Sequence, residues 1–431
     1  MATTEGQSHR YVVISADGHA GADLRDYKAY LAREFHDEFE AWAEGFTEPW
    51  AAYDTELADL DDPNVRLGVA SASSPYNWDS AKRLEHLDAE GICAEVLFPN
   101  TVPPFYPSGP VTAPAPTNAE EYRSRRAGVA AHNRWLVDFC AEAPGRRAGM
   151  AQVFLTDVDD AIADARWAKE AGLAGVLIPG DHISNLVNLY ERRLDPFWAA
   201  CADLEIPVHR HSIAVGPPET ADSGPAVIAI GARETHLFFQ RGLAHLVFAG
   251  VFERFPTLQF VFTETGCTWI AAELKRMDAE VRMGKTPGTT AYPLYHRAVE
   301  GLHSTPTEYF RRNCHIGASL MMPADVDTRH DIGVDRIMWG NDYPHHEGSF
   351  PYTKLAMRVL FAGLPEAEAR QVLGTNAAGV YGFDLDGLQP LADRIGPTVE
   401  EIATPVGSDE LPVSSLGHTV GGAIAAARVA V

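Results

Sequence analysis

The stretch Arg336-Ile-Met-Trp-Gly-Asn-Asp342-Tyr-Pro-His345-His346-Glu347-Gly348 decides the fold of this chain. Its apolar residues 337–339 end at a glycine, and polar side chains that can bind a metal follow at once. This order is typical of a buried parallel strand that opens onto the functional face of a barrel. A surface turn explains the stretch alone equally well, because Asn-Asp and Tyr-Pro are ordinary turn dipeptides.

A second strand end, Ile14-Ser-Ala-Asp17-Gly-His19, favours the barrel. The apolar residues 11–14 predict a strand, and an Asp-x-His pair follows it. A closed barrel brings its first and last strands side by side. The side chains of Asp17, His19 and Asp342 are therefore expected to share one site.

Apolar strand segments alternate with helical segments between these two stretches. The alternation predicts an α/β fold with eight strand–helix units, a (β/α)8 TIM barrel. The predicted strands are 11–14, 91–100, 147–155, 173–179, 206–212, 258–263, 314–318 and the segment that ends at Asp342. Residues 21–80 predict a helical insertion, and with the proline-rich loop 101–117 it is expected to cover the C-terminal mouth. We assign 1–386 to the metal-dependent barrel and 387–431 to a C-terminal tail.

Composition limits the function of this 431-residue chain, whose formal net charge is −24. Nucleic-acid binders and proteins of anionic membranes need basic patches, so the acidic balance argues against both. The five cysteines include no CxxC pair, so neither a zinc–thiolate site nor a disulfide framework is expected. Without a signal core or a bilayer-spanning apolar run, we predict a cytoplasmic enzyme of small molecules. A homo-oligomer, in the form of a dimer, is the expected assembly.

Carboxylates and imidazoles dominate the predicted strand ends. Alternation along a strand points His209 and His211 to the same side, into the barrel, and Asp17 and His19 share this spacing. A lone histidine such as His315 is more often a structural group. The polar residues at the predicted strand ends are Asp17, His19, Asn100, Asp181, His182, His209, His211, Glu264, His315, Asp342, His345 and His346, of which His182 and His315 are expected to be structural.

The sequence resembles the metal-dependent amidohydrolases of the aminocarboxymuconate-semialdehyde decarboxylase type, amidohydrolase family 2, over nearly its whole length. The matching motifs are Asp17-Gly-His19, Ile206-Pro-Val-His-Arg-His211, Gly250-Val-Phe-Glu-Arg-Phe-Pro-Thr-Leu258, Trp339-Gly-Asn-Asp342-Tyr-Pro and Gly374-Thr-Asn-Ala-Ala. Each motif alone is weak, and together they are specific. The resemblance implies a metal held by the residues that match Asp17, His19, His211 and Asp342.

Two features depart from the family pattern. Glu264 stands where the family commonly has a histidine after the sixth strand, and His209 adds an imidazole beside His211. This donor set exceeds one catalytic zinc, which usually takes three protein ligands. Mixed carboxylate–imidazole sets suit iron or manganese, and a carboxylate such as Glu264 can bridge two ions. The candidate metal ligands are Asp17, His19, His209, His211, Glu264, Asp342 and His346, and the candidate catalytic residues are Asp342, Glu264 and His345.

The enlarged donor set resembles one branch of the family, the dinuclear nonheme iron monooxygenases, which include the hydroxylase of platensimycin and platencin biosynthesis. That resemblance implies two iron ions and O2, with hydroxylation of an unactivated carbon in a bulky apolar substrate such as a CoA-linked acyl group. The alternative is a mononuclear zinc or manganese amidohydrolase or decarboxylase that acts on a small carboxylate, amide or ester. A barrel with a decayed site that only binds a partner is the least favoured hypothesis, because the candidate ligands are so many.

Overall fold

Eight parallel strands form one sheet in the order β1 to β8. The structure, a computed structural model, describes residues 9–47, 74–100, 102–107, 115–179, 187–212, 222, 224, 226–345 and 347–412 of the chain. The strands are β1 Ile14–Ala20, β2 Ala94–Pro99, β3 Arg147–Gln152, β4 Gly175–Leu177, β5 Val208–His211, β6 Phe260–Thr263, β7 Cys314–Ala318 and β8 Ile337–Trp339.

The segment after β8 returns to β1 and nearly closes the barrel. The backbone N–H of His19 donates to the carbonyl of Tyr343 at 2.7 Å, and that of Asp342 donates to the carbonyl of Asp17 at 3.0 Å. Consecutive strands pair in parallel from β1 to β8. The prediction of a (β/α)8 barrel is confirmed.

Helices connect the strands and form the outer layer. The α-helices are His36–Gly45, Ser80–Glu90, Ala119–Ala141, Val158–Glu170, Asp195–Asp203, Ala226–Phe248, Val251–Arg254, Thr268–Lys285, Tyr292–Val299, Pro306–Asn313, Pro323–Asp327, Arg329–Ile332, Thr353–Phe361, Glu366–Arg370, Asn376–Tyr381, Leu385–Ile395 and Val399–Ala403. Local chemistry sets their ends: Asp157 accepts from the backbone N–H of Asp160 at 3.0 Å, and Gly91 ends a helix with φ of 81°. Within the described ranges, no helix has both the length and the apolar character that a membrane span requires.

The first and last strands differ from their predicted bounds. β1 begins at Ile14, where the prediction ended it, so Asp17 and His19 lie inside the strand. A register shift between Ser15 and Gly18 keeps this polar segment paired with β2. β8 ends at Trp339 and does not reach Asp342, because the φ of 56° at Asp342 is incompatible with an extended strand.

The aromatic insertion and the proline-rich loop pack on each other. The buried Phe105 ring lies 6.0 Å from Phe35, 6.3 Å from Phe39 and 5.9 Å from Trp42, measured between centroids. The indole N–H of Trp42 donates to the carbonyl of Tyr106 at 2.8 Å. Residues 48–73 and 108–114 of these two segments lie outside the described residues. Both segments follow β1 and β2, so the described part forms one aromatic layer at the C-terminal end of the barrel.

The Gly374-Thr-Asn-Ala-Ala motif joins the last helices to the barrel. The side-chain amide of Asn376 donates to the carbonyls of Val334 at 2.8 Å and Ile337 at 2.7 Å. A Cβ on Gly374 would lie 2.2 Å from the carbonyl oxygen of Val12, so only glycine fits there. The motif therefore has a structural role.

The helix Leu385–Ile395 packs under the N-terminal end of the barrel. Its buried residues Leu388 and Ala392 contact an apolar cluster that contains Ile14 and Met338. This helix spans residue 386, where we divide the chain, and the division stays a prediction. Residues 413–431, with the apolar end of the tail, lie outside the described residues. The predicted homo-oligomer and the cytoplasmic location also stay predictions.

Candidate metal centre

β1 supplies two donors to the mouth of the barrel. Asp17 and His19 are both buried, and Asp17 Oδ1 lies 3.4 Å from His19 Nε2. His19 Nδ1 donates to the carbonyl of Pro99 at 3.1 Å, so the ring turns Nε2 towards the carboxylates. This is the arrangement of a metal-binding histidine, whose second nitrogen is held by a backbone carbonyl.

β5 supplies His211 from across the barrel. Its Nε2 lies 3.1 Å from Asp17 Oδ1, while its Nδ1 contacts the carbonyl of Ser212 at 2.8 Å. The same Nδ1 lies 3.3 Å from Glu264 Oε2, and the Glu264 backbone has a φ of 58°. A positive φ in a residue with a side chain is strained, and such strain is concentrated at functional sites.

Asp342 completes the cluster from the turn after β8. Its Oδ1 lies 3.1 Å from His19 Nε2 and 3.0 Å from His345 Nδ1, and the residue is fully buried. Despite these short distances, neither Asp342 oxygen nor His19 Nε2 makes a hydrogen bond within the described part of the chain. Buried carboxylate oxygens without a hydrogen bond are costly, so a bound cation would stabilise the site.

The donor atoms lie close enough together to bind an ion. Three overlapping groups have their donor atoms within 4.8 Å of one another: Asp17, His19 and His211; His19, Asp342 and His345; and Glu264, Asp342, His345 and Glu347. Carboxylate oxygens with imidazole nitrogens suit zinc, manganese or iron. The donor chemistry and the unsatisfied atoms of Asp342 therefore both fit a divalent ion.

The buried carboxylates of Asp17 and Asp342 are ionised. Burial by itself raises the pKa of Asp17, but the charge and hydrogen bond of His211, together with the close approach of His19, outweigh it and hold the pKa well below its usual range. At Asp342, burial is again outweighed, first by the charge of His345 and then by the close approach of His19 Nε2, so the pKa is lowered. Two negative side chains thus face the space between them.

His19 and Glu264 take up protons in response. Burial by itself lowers the pKa of His19, but the close negative carboxylates of Asp17 and Asp342 raise the pKa well above its usual value. Burial, followed by the charges of Asp342, Asp17 and Glu347, raises the pKa of Glu264 well above its usual range. Without a bound metal ion, both groups therefore favour their protonated forms.

From the shifts of these four groups, the metal-free protein is expected to be most stable at about pH 4–5. His19 and Glu264 bind protons more tightly in the folded state, so they lower stability as the pH rises above their unfolded values. Asp17 and Asp342 bind protons less tightly when folded, so their stabilisation is lost as the pH falls below about 4. Urea unfolding across pH 3–9 measures this. Bound Mn²⁺ should abolish most of the alkaline loss, and a metal-free stability that increases steadily from pH 6 to 9 would contradict the assignment.

Close contacts between β1 and the β8 end hold the cluster in place. The hydroxyl of Ser15 donates to Asn341 Oδ1 at 2.7 Å and accepts from the Asn341 backbone N–H at 3.0 Å. A Cβ on Gly340 would lie 2.7 Å from the Cβ of Asp17, so glycine is required there. The hydroxyl of Ser319, just after β7, donates to Asp17 Oδ2. Sequence reasoning missed Ser319, although its place after an apolar strand was a usable signal.

The structure brings six of the predicted site residues together and leaves others elsewhere. The residues at the cluster are Asp17, His19, His211, Glu264, Asp342 and His345. His346, Asp181 and His182 lie outside the described residues. Asn100 lies beside the cluster and contacts His345 Nε2 at 3.1 Å through its side-chain oxygen. Glu347, which no strand-end rule selected, joins the group around Glu264.

His209 does not reach the cluster. It points into the barrel as predicted, but its Nε2 contacts the hydroxyl of Tyr381 at 3.1 Å and its Nδ1 contacts the carbonyl of Val176 at 3.3 Å. Residues two apart on a strand are separated by about 6.6 Å, so His209 lies one layer below His211. Burial lowers the pKa of His209 to about 3, so the imidazole is neutral. This position gives it a role in the barrel core and does not support a role as a ligand.

His315 is a structural histidine, as its isolation in the sequence suggested. Its Nε2 lies 3.2 Å from Gln259 Oε1 and 3.4 Å from Arg336 Nη1. Burial lowers the pKa of His315 to about 3. The residue therefore stays neutral among groups outside the cluster.

Comparison with known proteins places the chain in a family. The profile of the family Amidohydrolase (Amidohydro_2) matches residues 98–383, which is more than half of the chain. The chain belongs to this amidohydrolase family. No curated protein sequence matches it significantly.

Solved structures share the fold of this amidohydrolase-family chain at low sequence identity. An amidohydrolase from Mycobacterium avium subsp. paratuberculosis K-10 is 20% identical with a TM-score of 0.59, covering 86% of this chain and 99% of its own. A 5-carboxyvanillate decarboxylase from Novosphingobium aromaticivorans, complexed with manganese, is 18% identical with a TM-score of 0.57, covering 88% and 97%. A dihydroxybenzoic acid decarboxylase from Polaromonas sp. JS666, with bound manganese, is 19% identical with a TM-score of 0.52, covering 86% and 97%.

The prediction of a dinuclear iron monooxygenase is wrong. The structural relatives of this amidohydrolase-family chain include several decarboxylases, two of them named with manganese, and they match the alternative of a metal-dependent decarboxylase or hydrolase. Two iron ions, O2 and antibiotic biosynthesis find no support. The error came from counting donors, because His209 was counted as an imidazole of the site and lies below it.

Proposed function

We propose that this protein is a decarboxylase of a small carboxylate that works with one divalent ion, manganese or zinc. The cluster of Asp17, His19, His211 and Asp342 carries the proposal, because His19 contacts the Asp342 carboxylate, whose oxygens make no hydrogen bond with a described residue, and His211 contacts Asp17. These four residues would hold the ion. The family match and the manganese-containing decarboxylases support the reaction class.

The protein's own groups must supply a proton. A bound divalent ion would polarise a carboxylate or carbonyl oxygen of the substrate. Loss of CO2 leaves an electron pair on carbon, and a new C–H bond forms there with a proton from the site. Glu264 and His345 are placed to deliver it, because both lie beside Asp342 in one group of donors. His345 is held by its contact with Asn100, and Glu264 is fixed by the turn after β6.

Hydrolysis of a neutral amide or ester is a second candidate, and the charge of the site favours it. Glu264 and Glu347 add two carboxylates to those of Asp17 and Asp342. A single divalent ion balances the two charges of Asp17 and Asp342, so the site has no excess of positive charge to attract a carboxylate substrate. An uncharged substrate meets less repulsion than a carboxylate in such a site, and a carboxylate side chain can act as the base that activates water.

Product analysis with the metal-loaded protein separates the two candidates. Protein stripped of metal and reloaded with Mn²⁺ or Zn²⁺ is incubated with aromatic carboxylates, including 2,6-dihydroxybenzoate and 5-carboxyvanillate, and CO2 is measured. A parallel pH-stat assay follows the hydrolysis of amides and esters. We expect CO2 release that requires the metal. If acid is released from amides or esters and no CO2 is formed, hydrolysis is the function and decarboxylation is rejected. No turnover in either assay with any metal would overturn the proposal.

A further inference from the structure

Arg83 is a buried arginine behind the metal centre. It lies on the helix Ser80–Glu90 and is fully buried. Its Nη1 donates to the backbone carbonyl of His19 at 2.8 Å, and its Nη2 donates to that of Tyr343 at 3.4 Å. The first carbonyl belongs to a candidate metal ligand, His19. The second belongs to Tyr343, the residue that follows the candidate ligand Asp342. One guanidinium therefore bridges the two segments that carry His19 and Asp342.

A second charged layer fixes the direction of Arg83. Glu95, on β2 and also buried, accepts from Arg83 Nε at 2.9 Å and from Arg83 Nη2 at 2.7 Å. Arg147 on β3 approaches the same carboxylate at 3.4 Å and donates to the carbonyl of Phe139 at 2.7 Å. A forked pair of this kind allows one orientation of the guanidinium. The guanidinium of Arg83 consequently points at the contact between β1 and the segment that follows β8, which we call the β1–β8 seam.

Gly18 makes room for this contact between the two ligands of β1. A Cβ at Gly18 would lie 3.2 Å from Arg83 Nη2 and 3.3 Å from Glu95 Oε2. The middle residue of Asp17-Gly-His19 is thus small on the side that faces Arg83. The carbonyl of Tyr343 also accepts from the backbone N–H of His19 at 2.7 Å, so the bridge reinforces the hydrogen bond that closes the barrel.

We propose that Arg83 is a positioning residue of the metal centre, which sets the separation of His19 and Asp342 through their backbone. The proposal rests on the metal-dependent function proposed above, but only on its metal site. A buried ion pair by itself contributes little net stability, and apolar residues of similar volume often replace it without loss. The two hydrogen bonds to the seam have no apolar substitute. Stability and metal affinity should therefore respond differently to substitution.

The test measures the affinity for Mn²⁺ by chelator competition and stability by urea unfolding. In the triple variant Arg83→Met/Glu95→Leu/Arg147→Met, no buried charge is left unpaired, so the protein should fold with a moderate loss of stability while Mn²⁺ affinity falls about 10–100-fold, the usual effect of losing an outer partner of a ligand. In Arg83→Lys, the ammonium can pair with Glu95 but cannot reach both carbonyls, so affinity should fall about tenfold in a folded protein. Wild-type affinity in either folded variant would overturn the proposal.

Arg254→Met is the matched control. Arg254 also pairs with a carboxylate, Asp195 at 2.7 Å, and donates to two backbone carbonyls, but these belong to Ala249 and Gly250 away from the seam. Its removal should lower stability and leave Mn²⁺ affinity unchanged. An equal loss of affinity in this control would mean that general destabilisation, not Arg83, governs metal binding. Because the affinity assay uses no substrate, a wild type that binds Mn²⁺ but fails to release CO2 would refute the decarboxylase and leave this proposal standing.

Discussion

Replacement of Asp342 by asparagine is expected to reduce kcat on the order of 10²–10⁴-fold while the fold stays intact. The Asp342 carboxylate is buried, ionised and 3.1 Å from His19 Nε2, and no described residue satisfies either of its oxygens by a hydrogen bond. Asparagine keeps the shape but removes the negative charge and one acceptor. Whether Asp342 holds the ion or moves a proton, the substitution removes what the reaction needs.

Steady-state kinetics and metal content, measured on the same preparations, test this expectation. Asp335→Asn is the matched control, since Asp335 lies just before the same strand, is exposed and pairs with Arg336 at 2.6 Å. The control should keep kcat within about twofold, as most exposed substitutions have small effects. A kcat for Asp342→Asn close to that of Asp335→Asn would remove Asp342 from the active site.

Replacement of His211 by alanine is expected to weaken metal binding by more than the roughly 10–100-fold that loss of an outer partner costs. His211 Nε2 faces Asp17 at 3.1 Å, and no other described imidazole takes this side of the cluster. His209 supplies a control on the same strand. His209→Gln should keep the metal affinity and lower the free energy of unfolding by about 1–3 kcal/mol, because the buried hydroxyl of Tyr381 loses its partner or holds it less well.

Chelator competition and urea unfolding of the pair distinguish a ligand from a core residue. The two histidines exchange roles if His209→Gln loses the ion and His211→Ala retains it. That outcome would make His209 a metal ligand, as the sequence predicted, and would contradict its position one layer below His211.

The barrel and most of the cluster were predictable because both follow from strand ends. Asp17, His19 and Asp342 each stand beside a short apolar run, and a parallel barrel collects all carboxyl ends of its strands on one face. The period of two along β5 correctly pointed both of its histidines inward. Strand ends therefore carry enough information to find the site.

Depth within the barrel was not predictable from that period. Alternation gives the direction of a side chain but not its layer, and the contact of His209 with Tyr381 depends on a helix about 170 residues further along the chain. The sequence also did not show that β1 continues through Asp17 and His19, because polar residues inside a strand look like the end of a strand. Only the pairing with β2 and the carbonyl contacts of Tyr343 reveal it.

Supporting residues escaped because their partners are distant in sequence. Arg83 looks like any polar residue of an exposed helix, and its burial depends on Glu95 and Arg147 from two strands. The choice of reaction failed for a related reason: the sequence counts donors but does not say which of them meet. A set of seven candidate ligands predicted two ions, whereas the structure places the described donors in three overlapping groups and leaves His209 out of all of them.

The metal content of the purified protein tests the central claim most directly. Protein loaded with Mn²⁺ or Zn²⁺, desalted and analysed by mass spectrometry of the elements should retain about one ion per chain, as expected for a single catalytic site with an open position. The His211→Ala variant, treated in the same way, should retain far less. Two tightly held ions per chain in the wild type, or none, would contradict a mononuclear centre formed by Asp17, His19, His211 and Asp342.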